Sequence, residues 1–492
     1  MFQYATPESA GISSKAIMRY VRFLEDRGMA THDILIARGN QIIYENYWAP
    51  FHENFLHRMY SVTKSFVSLA IGCLEEEGKI CLDDPIIRYF PEEAACQTDT
   101  NFLNQTIRDM LMMSTAKNGR NWFAARPEDR VRFYFDNDRE ESRIPGTIFE
   151  YDSTGSFVLG SLVERVTGKP FLDYLRERFL DEIGFSKEAT CLRCPGGHSW
   201  SDSAILCTPL DLLKTARFVM NGGSHQGKQL MSRSYIAKAT SKQIDNNVSC
   251  QTDIQSQGYG YQFWMGYGKS FFFNGMGCQF ALCIPEQDLI LIYNGDNQGN
   301  SMAANWVLDT FFEQIAWTAS NTALPEDPDA LAELKAYSGT RKLMAARGET
   351  SSEVQKTADG VWYAMQPNPM GITRMRVVFN QGGGFLEYEN AQGPKSIAFG
   401  LGENRFCPFP QEGYSDQVGS VRTKGHYYHC AASGAWVEAR KLFIRVQIID
   451  KYFGNLNITI GFAAKGIGVH MNKVAEDFLE EYQGFAAGFP EA

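Results

Sequence analysis

A serine and a lysine three residues apart, Ser61 and Lys64, have the types and spacing that suit covalent catalysis. Residues i and i+3 share one face of a helix, so the hydroxyl and the amine can come within hydrogen-bonding distance. A serine hydroxyl is a weak nucleophile until a neighbour takes its proton, and a lysine withdrawn from water can do so. At the first turn of a helix, the backbone N–H of Ser61 would also point toward a developing oxyanion. The pair therefore predicts nucleophilic acyl transfer.

The same S-x-x-K spacing occurs a second time, at Ser114 and Lys117. This copy follows an apolar run over residues 110–113, so it is expected to end a helix and to leave Lys117 facing water. Ser61 differs, because the apolar stretch after it is expected to form a buried helix that carries Lys64 into the interior. The first copy is therefore the better candidate for chemistry.

A phenol and a short hydroxyl, Tyr151 and Ser153, stand two positions apart just before an expected helix over residues 156–166. Near a lysine ammonium, a tyrosine can accept a proton as its phenolate or donate one to a leaving group. The alternative is structural: Asp152 or Ser153 caps the helix and Tyr151 lies beneath it. The two interpretations are compatible, because a cap fixes the loop that aims Tyr151.

A glycine-rich segment at the start of an expected strand contains Asn274, Gly275 and Met276. Glycine lets a substrate lie close to the strand backbone, and the N–H of Met276 is a candidate for a second oxyanion donor. The alternative is a bulged edge strand without a ligand. A nucleophilic thiol at Cys278 is a further alternative, although a buried thiol in a strand is the more ordinary interpretation.

The elements that would position these residues follow from the hydrophobic pattern. Residues 33–38 and 41–46 read as two strands joined by a Gly39-Asn40 hairpin, helices dominate residues 61–220, strands return over residues 259–294, and residues 303–316 form a helix. This order predicts an antiparallel sheet whose first and last segments are adjacent and covered by helices.

The chain is too long for one core, and a second domain is expected after a proline-containing linker. The predicted division is residues 1–322, a linker over residues 323–338, and a smaller all-β domain over residues 339–492. Short alternating runs indicate a barrel-like arrangement, finished by a helix over residues 474–485.

Composition excludes several functional classes. With 47 Lys+Arg against 57 Asp+Glu and a net charge of −10, the chain is a poor partner for nucleic acid or anionic membrane. No signal peptide or spanning segment is recognised, and the odd number of cysteines, 11, favours reduced thiols in the cytoplasm. Cys191 and Cys194 form a C-x-x-C without further ligands, so no metal or other cofactor is expected. The oligomeric state stays open.

Taken together, these motifs resemble the serine β-lactamase and penicillin-binding-protein superfamily, with an S-x-x-K, a Y-x-S at Tyr151–Ser153 and a glycine-bearing strand. The resemblance covers about residues 5–318 and is nearest to the class C branch with its esterase, amidase and D-peptidase relatives. Flanking segments agree, namely residues 78–85, 106–114 and 259–264. It implies an α+β fold, with a β-lactamase-like antiparallel sheet flanked by helices, a helical subdomain and a smaller barrel-like domain after it.

The resemblance also implies roles for the site residues. Ser61 would be the nucleophile, Lys64 and Tyr151 its proton-transfer partners, and Ser153, Asn274, Gly275 and Met276 would contact the substrate or the oxyanion. The expected activity is acyl-enzyme hydrolysis of a small-molecule ester or amide.

Two departures keep other functions open. The strand motif Phe273-Asn274-Gly275 has neither lysine nor histidine in its first position, where relatives carry a lysine that holds a substrate carboxylate, and Ser153 replaces the commoner asparagine. The first substitution weakens the alternative of a β-lactamase or D-amino-acid peptidase. Both leave room for a catalytically idle scaffold or ligand sensor on the same fold.

Overall fold

A computed structural model describes residues 2–117, 119, 122–123, 125, 127–136, 142–247, 252–412, 424–476 and 478–491. The chain divides into two compact units, Met1–Lys342 and Leu343–Ala492. Each unit contains its own sheet.

The first unit is built on a sheet of seven strands within the described part of the chain. The strands are β1 (Gln3–Tyr4), β2 (Thr31–Arg38), β3 (Gln41–Tyr47), β4 (Trp264–Met265), β5 (Phe271–Gly275), β6 (Gln279–Ile284) and β7 (Leu289–Gly295). Their order is β1-β3-β2-β7-β6-β5-β4, and all neighbours are antiparallel except β1 and β3. The pairing of β2 with β7 confirms that the first and last segments of this region are adjacent.

Helices cover this sheet and form a subdomain beside it. They are α1 (Ser14–Asp26), α2 (Val62–Glu76), α3 (Thr100–Asn104), α4 (Ile107–Leu111), α5 (Arg130–Asp136), α6 (Ser153–Thr167), α7 (Phe171–Leu175), α8 (Pro209–Met220), α9 (Arg233–Ala239), α10 (Ala303–Gln314) and α11 (Pro328–Ser338). The apolar face of α1, including Ile17 and Val21, is buried in one cluster with Ile34 and Ile36 of the sheet and Phe311 of α10. Because side chains alternate along a strand, Leu35 faces the opposite side of the sheet from Ile34 and Ile36. On that side α8 lies against β2, β6 and β7.

A small three-stranded sheet leads the chain into α2. Strand His57–Arg58 pairs with Ile205–Cys207, which also pairs with Thr190–Cys191. The Met59 N–H donates to the carbonyl of Ile205 at 2.9 Å, and the Ile205 N–H donates to the hydroxyl of Thr63 at 3.1 Å. These bonds hold the segment before residue 205 against the start of α2.

The second unit is a closed β-barrel, as the alternating runs predicted. Its strands are β8 (Tyr363–Met365), β9 (Arg374–Asn380), β10 (Gly383–Asn390), β11 (Gly393–Leu401), β12 (Arg405–Pro408), β13 (His429–Glu438), β14 (Lys441–Ile449), β15 (Phe453–Ala463), β16 (Gly466–Ala475) and β17 (Gly484–Pro490). In the described residues the sheet runs β11-β10-β9-β8-β17-β16-β15-β14-β13-β12. A parallel pairing of β11 with β13 closes nine of these strands into a ring and leaves β12 outside it. A short helix, α12 (Gln355–Ala358), precedes β8.

The helix expected over residues 474–485 is wrong. Val474 lies in β16 and Phe485 in β17, which pair in an antiparallel register. Ile467, Val469 and Met471 are buried at every second position of β16, as in a strand, and the four residues that follow them in β16 are all half-buried. The short apolar run at this end of the chain does not by itself separate a strand from a helix.

The segment expected as a linker, residues 323–338, contains α11. Ala330 and Leu334, one helical turn apart, are buried, and α11 lies against α1. Arg341, just after the helix, pairs with Glu25 of α1 at 2.9 Å. The compact unit accordingly continues to residue 342.

Candidate active site

Ser61 stands immediately before α2, at the end of a strained backbone turn. Tyr60 has φ +46°, a left-handed conformation that is costly for a tyrosine. Its buried ring lies 4.6 Å from the guanidinium carbon of Arg58, a contact that helps to hold the turn. Ser61 is partly exposed, whereas every residue from Val62 to Leu74 in α2 is buried. The turn thus presents one hydroxyl at the N-terminus of an otherwise buried helix.

Lys64 forms the contact that its spacing predicts. Its Nζ donates to the Ser61 Oγ at 2.9 Å and to the backbone carbonyl of Asp202 at 2.8 Å. The Asp202 carboxylate lies 3.8 Å from the same Nζ, and the two side chains are only 2% and 0% exposed. Three oxygen acceptors, one from Ser61 and two from Asp202, therefore surround this amine. The sequence analysis missed Asp202, because its proximity depends on pairing between the strands that precede α2 and α8.

Tyr151 joins Ser61 and Lys64 in the same place. The Lys64 Nζ lies 5.1 Å from the centroid of the Tyr151 ring, which stacks on Trp264 at 5.8 Å. Asp152 caps α6 by accepting from the N–H of Thr154 at 2.9 Å, so the capping interpretation holds together with the proximity of Tyr151 to Lys64. The helix begins at Ser153, three residues earlier than expected.

A buried glutamine connects the elements that carry these groups, and the sequence analysis did not single it out. Gln262 has φ +63° and is 2% exposed. Its side chain accepts from the hydroxyl of Ser156 in α6 at 2.8 Å and donates to the carbonyl of Met110 in α4 at 3.0 Å. Its own carbonyl accepts from Ser65 of α2 at 2.7 Å. One residue therefore fixes α2 relative to the helix that follows Tyr151.

Strand β5 approaches the backbone of the nucleophile turn through a glycine. A Cβ placed on Gly275 would meet the carbonyl oxygen of Met59 at 2.3 Å, so no larger residue fits without a shift. β4 ends its pairing at Phe272, and among the described residues no strand pairs with β5 on that side at Asn274 and Gly275. This open edge lies beside the turn that carries Ser61.

The other predicted site residues lie on, or just beyond, the elements that surround Ser61, Lys64 and Tyr151. Ser153, the first residue of α6, and Asn274 of β5 are half-buried, and Met276 is 39% exposed just beyond β5. Cys278 is buried with φ +74°, and burial raises the pKa of its thiol. These properties fit a structural thiol better than a nucleophile.

The expectation that Lys117 faces water is wrong. Lys117 is 6% exposed and pairs with the carboxylate of Asp99 at 2.9 Å. The same carboxylate caps α3, so a helix terminus supplies a partner that the local sequence around Lys117 does not reveal.

The described part of the chain shows no candidate metal site. No group of three or more His, Cys, Asp or Glu side chains there is arranged to hold a metal ion. Burial raises the pKa of Cys191 and of Cys194, which favours their thiol forms over the thiolates that bind zinc.

Among the described residues, none of the helices combines the length and the apolar character that crossing a bilayer requires.

Comparison with known proteins adds a family to this geometry. A family model described as beta-lactamase matches residues 19–310, more than half of the chain. A 6-aminohexanoate-dimer hydrolase of Paenarthrobacter ureafaciens is 26% identical over 249 residues, which cover 47% of this chain and 63% of that protein. Esterase EstB of Burkholderia gladioli is 27% identical over 190 residues, which cover 33% of this chain and 47% of that protein. The chain thus spans about half to two-thirds of the length of these curated relatives.

A solved structure supports the fold. EstCE1, a hydrolase with promiscuous acyltransferase activity, aligns with a TM-score of 0.51 at 14% identity and covers 62% of this chain and 99% of its own. At this identity the likeness concerns the fold alone.

Proposed function

Because the chain belongs to the β-lactamase family, we propose that it is a serine hydrolase that forms an acyl-enzyme on Ser61. One observation carries the proposal: a buried lysine amine lies 2.9 Å from a partly exposed serine hydroxyl and 5.1 Å from the centroid of a tyrosine ring. No other described contact places a nucleophile, an amine and a phenol together at the start of a buried helix.

The proposed chemistry is a two-step acyl transfer. The Ser61 Oγ attacks the carbonyl carbon of an ester or amide while its proton passes to the group formed by Lys64 and Tyr151. That group returns the proton to the leaving alcohol or amine. Water then attacks the acyl-enzyme while Tyr151 accepts its proton, the bond between the acyl carbon and the Ser61 Oγ breaks, and the proton returns to Oγ as the acid is released.

Asp202 is proposed as a positioning residue for this proton transfer. Its carbonyl and its carboxylate both face the Lys64 Nζ, at 2.8 and 3.8 Å. Moving the Lys64 amine away from Asp202 would leave a buried charge uncompensated. The pair therefore strongly favours the side-chain position in which the two groups are close. With Nζ held there, one N–H stays directed at Ser61.

Two backbone N–H groups are the proposed oxyanion donors, those of Ser61 and Met276. Ser61 lies at the N-terminus of α2, where the helix dipole favours negative charge. Gly275 lets β5 approach the same turn, which supports the placement of Met276 as the second donor.

The proposed substrate is a small-molecule ester or amide. The names of two relatives, a 6-aminohexanoate-dimer hydrolase and an esterase, support this class. A β-lactamase or D-amino-acid peptidase is the second candidate, and the Phe273-Asn274-Gly275 motif disfavours it because it lacks the lysine expected to hold a substrate carboxylate. Brisk turnover of nitrocefin would promote this candidate. A catalytically idle sensor would leave Ser61 unreactive toward a broad panel of esters and amides.

We assign the hydrolase to the first compact unit and treat the barrel as a separate domain. The proposed location is the cytoplasm, on the strength of the odd number of cysteines.

A fluorophosphonate probe followed by peptide mapping tests the assignment of the nucleophile. We expect labelling at Ser61 and a fall in ester hydrolysis of about 10³-fold or more in Ser61→Ala. Ser114→Ala, which alters the second S-x-x-K, is the matched control and should keep wild-type activity. Labelling elsewhere, or undiminished hydrolysis by Ser61→Ala, would refute the assignment.

A further inference from the structure

Two cysteines of the barrel face each other across neighbouring strands. Cys407 of β12 and Cys430 of β13 are direct partners in the antiparallel register, and their Sγ atoms are 3.7 Å apart. Direct partners have Cα atoms about 4.5–5.5 Å apart, which lies inside the range that a disulfide spans. A side-chain rotation with a small approach of the strands is enough to bring the two sulfur atoms into bonding distance.

From this juxtaposition we propose that Cys407 and Cys430 are a redox-active dithiol, which a low-molecular-weight disulfide such as oxidised glutathione converts to a cross-strand disulfide. The inference concerns the barrel alone and does not depend on the proposed hydrolase activity.

The two thiols differ in the way that such an exchange requires. Cys407 is partly exposed, on the strand that lies outside the closed ring, whereas Cys430 is buried. Either sulfur can donate in the neutral pair, but once Cys407 is ionised only the Cys430 S–H can, and this hydrogen bond lowers the pKa of the Cys407 thiol to about 7. The same interaction raises the pKa of Cys430. Cys407 is therefore the attacking thiolate, and Cys430 keeps its proton until the charge beside it is gone.

The exchange balances in two steps. The Cys407 thiolate attacks one sulfur of oxidised glutathione, an S–S bond forms, and the first glutathione leaves as a thiolate. In this mixed disulfide the negative charge that opposed ionisation of Cys430 is absent. Cys430 then loses its proton and attacks the Cys407 Sγ, and the second glutathione leaves as a thiolate. Two electrons pass from the dithiol to the external disulfide, and two protons leave the dithiol, one when Cys407 ionises and one from Cys430, which the two glutathione thiolates can take up.

Peptide mapping of the full chain provides the test. The protein is incubated with oxidised glutathione, alkylated, digested without reductant and analysed by mass spectrometry. We expect a linked peptide pair containing Cys407 and Cys430, two hydrogens lighter than the sum of its parts, which dithiothreitol separates. We also expect the thermal midpoint of the barrel to rise by about 5 °C on oxidation, because the cross-link constrains the unfolded chain.

Variants separate the two roles. Cys430→Ser should accumulate a stable glutathione adduct at Cys407, and Cys407→Ser should give no linked peptide. Cys96→Ser, which changes an exposed cysteine outside the pair, is the matched control and should leave the linkage intact.

Two results with the unaltered protein would overturn the proposal. One is continued alkylation of both Cys407 and Cys430 after oxidation, and the other is a glutathione adduct at Cys407 that persists without resolving. Neither result depends on the folding of a variant.

Discussion

Acid should destabilise the first unit through two buried histidines beside the nucleophile segment. The Nδ1 of His32 lies 2.8 Å from the Nε2 of His57, and the His57 Nδ1 lies 3.0 Å from the carbonyl of Arg58. A carbonyl only accepts, so His57 carries its proton on Nδ1 and its Nε2 accepts from the Nδ1–H of His32. Both rings are 1% exposed, and this neutral arrangement has no place for an additional proton between them.

The magnitude follows from the pKa values. Burial lowers the pKa of His57 from 6.5 to about 3 and that of His32 well below 6.5. Between pH 6.5 and about 3, the unfolded chain binds a proton at His57 that the folded chain does not, so stability falls as the pH falls. At pH 4.5 this linkage costs about 2–3 kcal/mol for His57 alone. His32 acts in the same direction.

Urea unfolding at pH 7 and at pH 4.5 measures the effect. Wild type should lose about 2–3 kcal/mol more of its unfolding free energy on acidification than His57→Gln does. The comparison between variants is needed because burial raises the pKa of Asp33, which works in the opposite direction: a raised folded pKa adds stability as the pH falls. His52→Gln, at an exposed ring in the same segment, is the matched control. Equal pH dependence in wild type and His57→Gln would refute the reasoning.

Three substitutions probe the site itself. Asp202→Asn keeps the backbone carbonyl but removes the carboxylate 3.8 Å from Lys64, and should lower kcat/KM for an ester about 10–100-fold while the fold is retained by circular dichroism. Gly275→Ala places a Cβ 2.3 Å from the carbonyl of Met59 and should lower kcat/KM at least 10²-fold in the same assay, because β5 must withdraw from the nucleophile turn. Asn274→Lys supplies a cation for a substrate carboxylate and should raise the ratio of nitrocefin to neutral-ester turnover about tenfold.

Matched changes control these effects. Glu188→Gln removes an exposed carboxylate of the first unit, Gly468→Ala adds a methyl where no atom lies within 4 Å, and Asn274→Gln lengthens the side chain without adding charge. A wild-type kcat/KM in Asp202→Asn would contradict the positioning role of Asp202. A wild-type kcat/KM in Gly275→Ala would contradict the close approach of β5 to the nucleophile turn. An unchanged ratio of nitrocefin to neutral-ester turnover in Asn274→Lys would refute the argument that this site lacks a cation for a substrate carboxylate.

Local patterns were sufficient for the features that depend on neighbours in the sequence. Helical spacing places Lys64 against Ser61, and the Gly39-Asn40 signal gives the hairpin between β2 and β3. Alternation in the C-terminal third predicts strands, and in β9, β14 and the second half of β15 the buried positions do lie two residues apart over much of the strand.

Features that depend on distant partners could not be read from the sequence. Asp202 reaches Lys64 through strand pairing, and Gln262 connects α2, α4 and α6 from a loop that no local pattern marks. Lys117 is buried because Asp99 accompanies it. In each case a polar side chain can be buried because it has a polar partner, and that partner comes from a remote segment. Hydrophobic periodicity carries no information about such pairs.

The mass of the covalent intermediate tests the central claim most directly. Tyr151→Phe, which should slow release of the acid more than formation of the intermediate, is mixed with a short-chain p-nitrophenyl ester, quenched in acid and mapped by mass spectrometry. We predict one acyl group, attached to the peptide that contains Ser61. An acyl group on any other residue, or an unmodified Ser61 peptide during active turnover, would contradict the account.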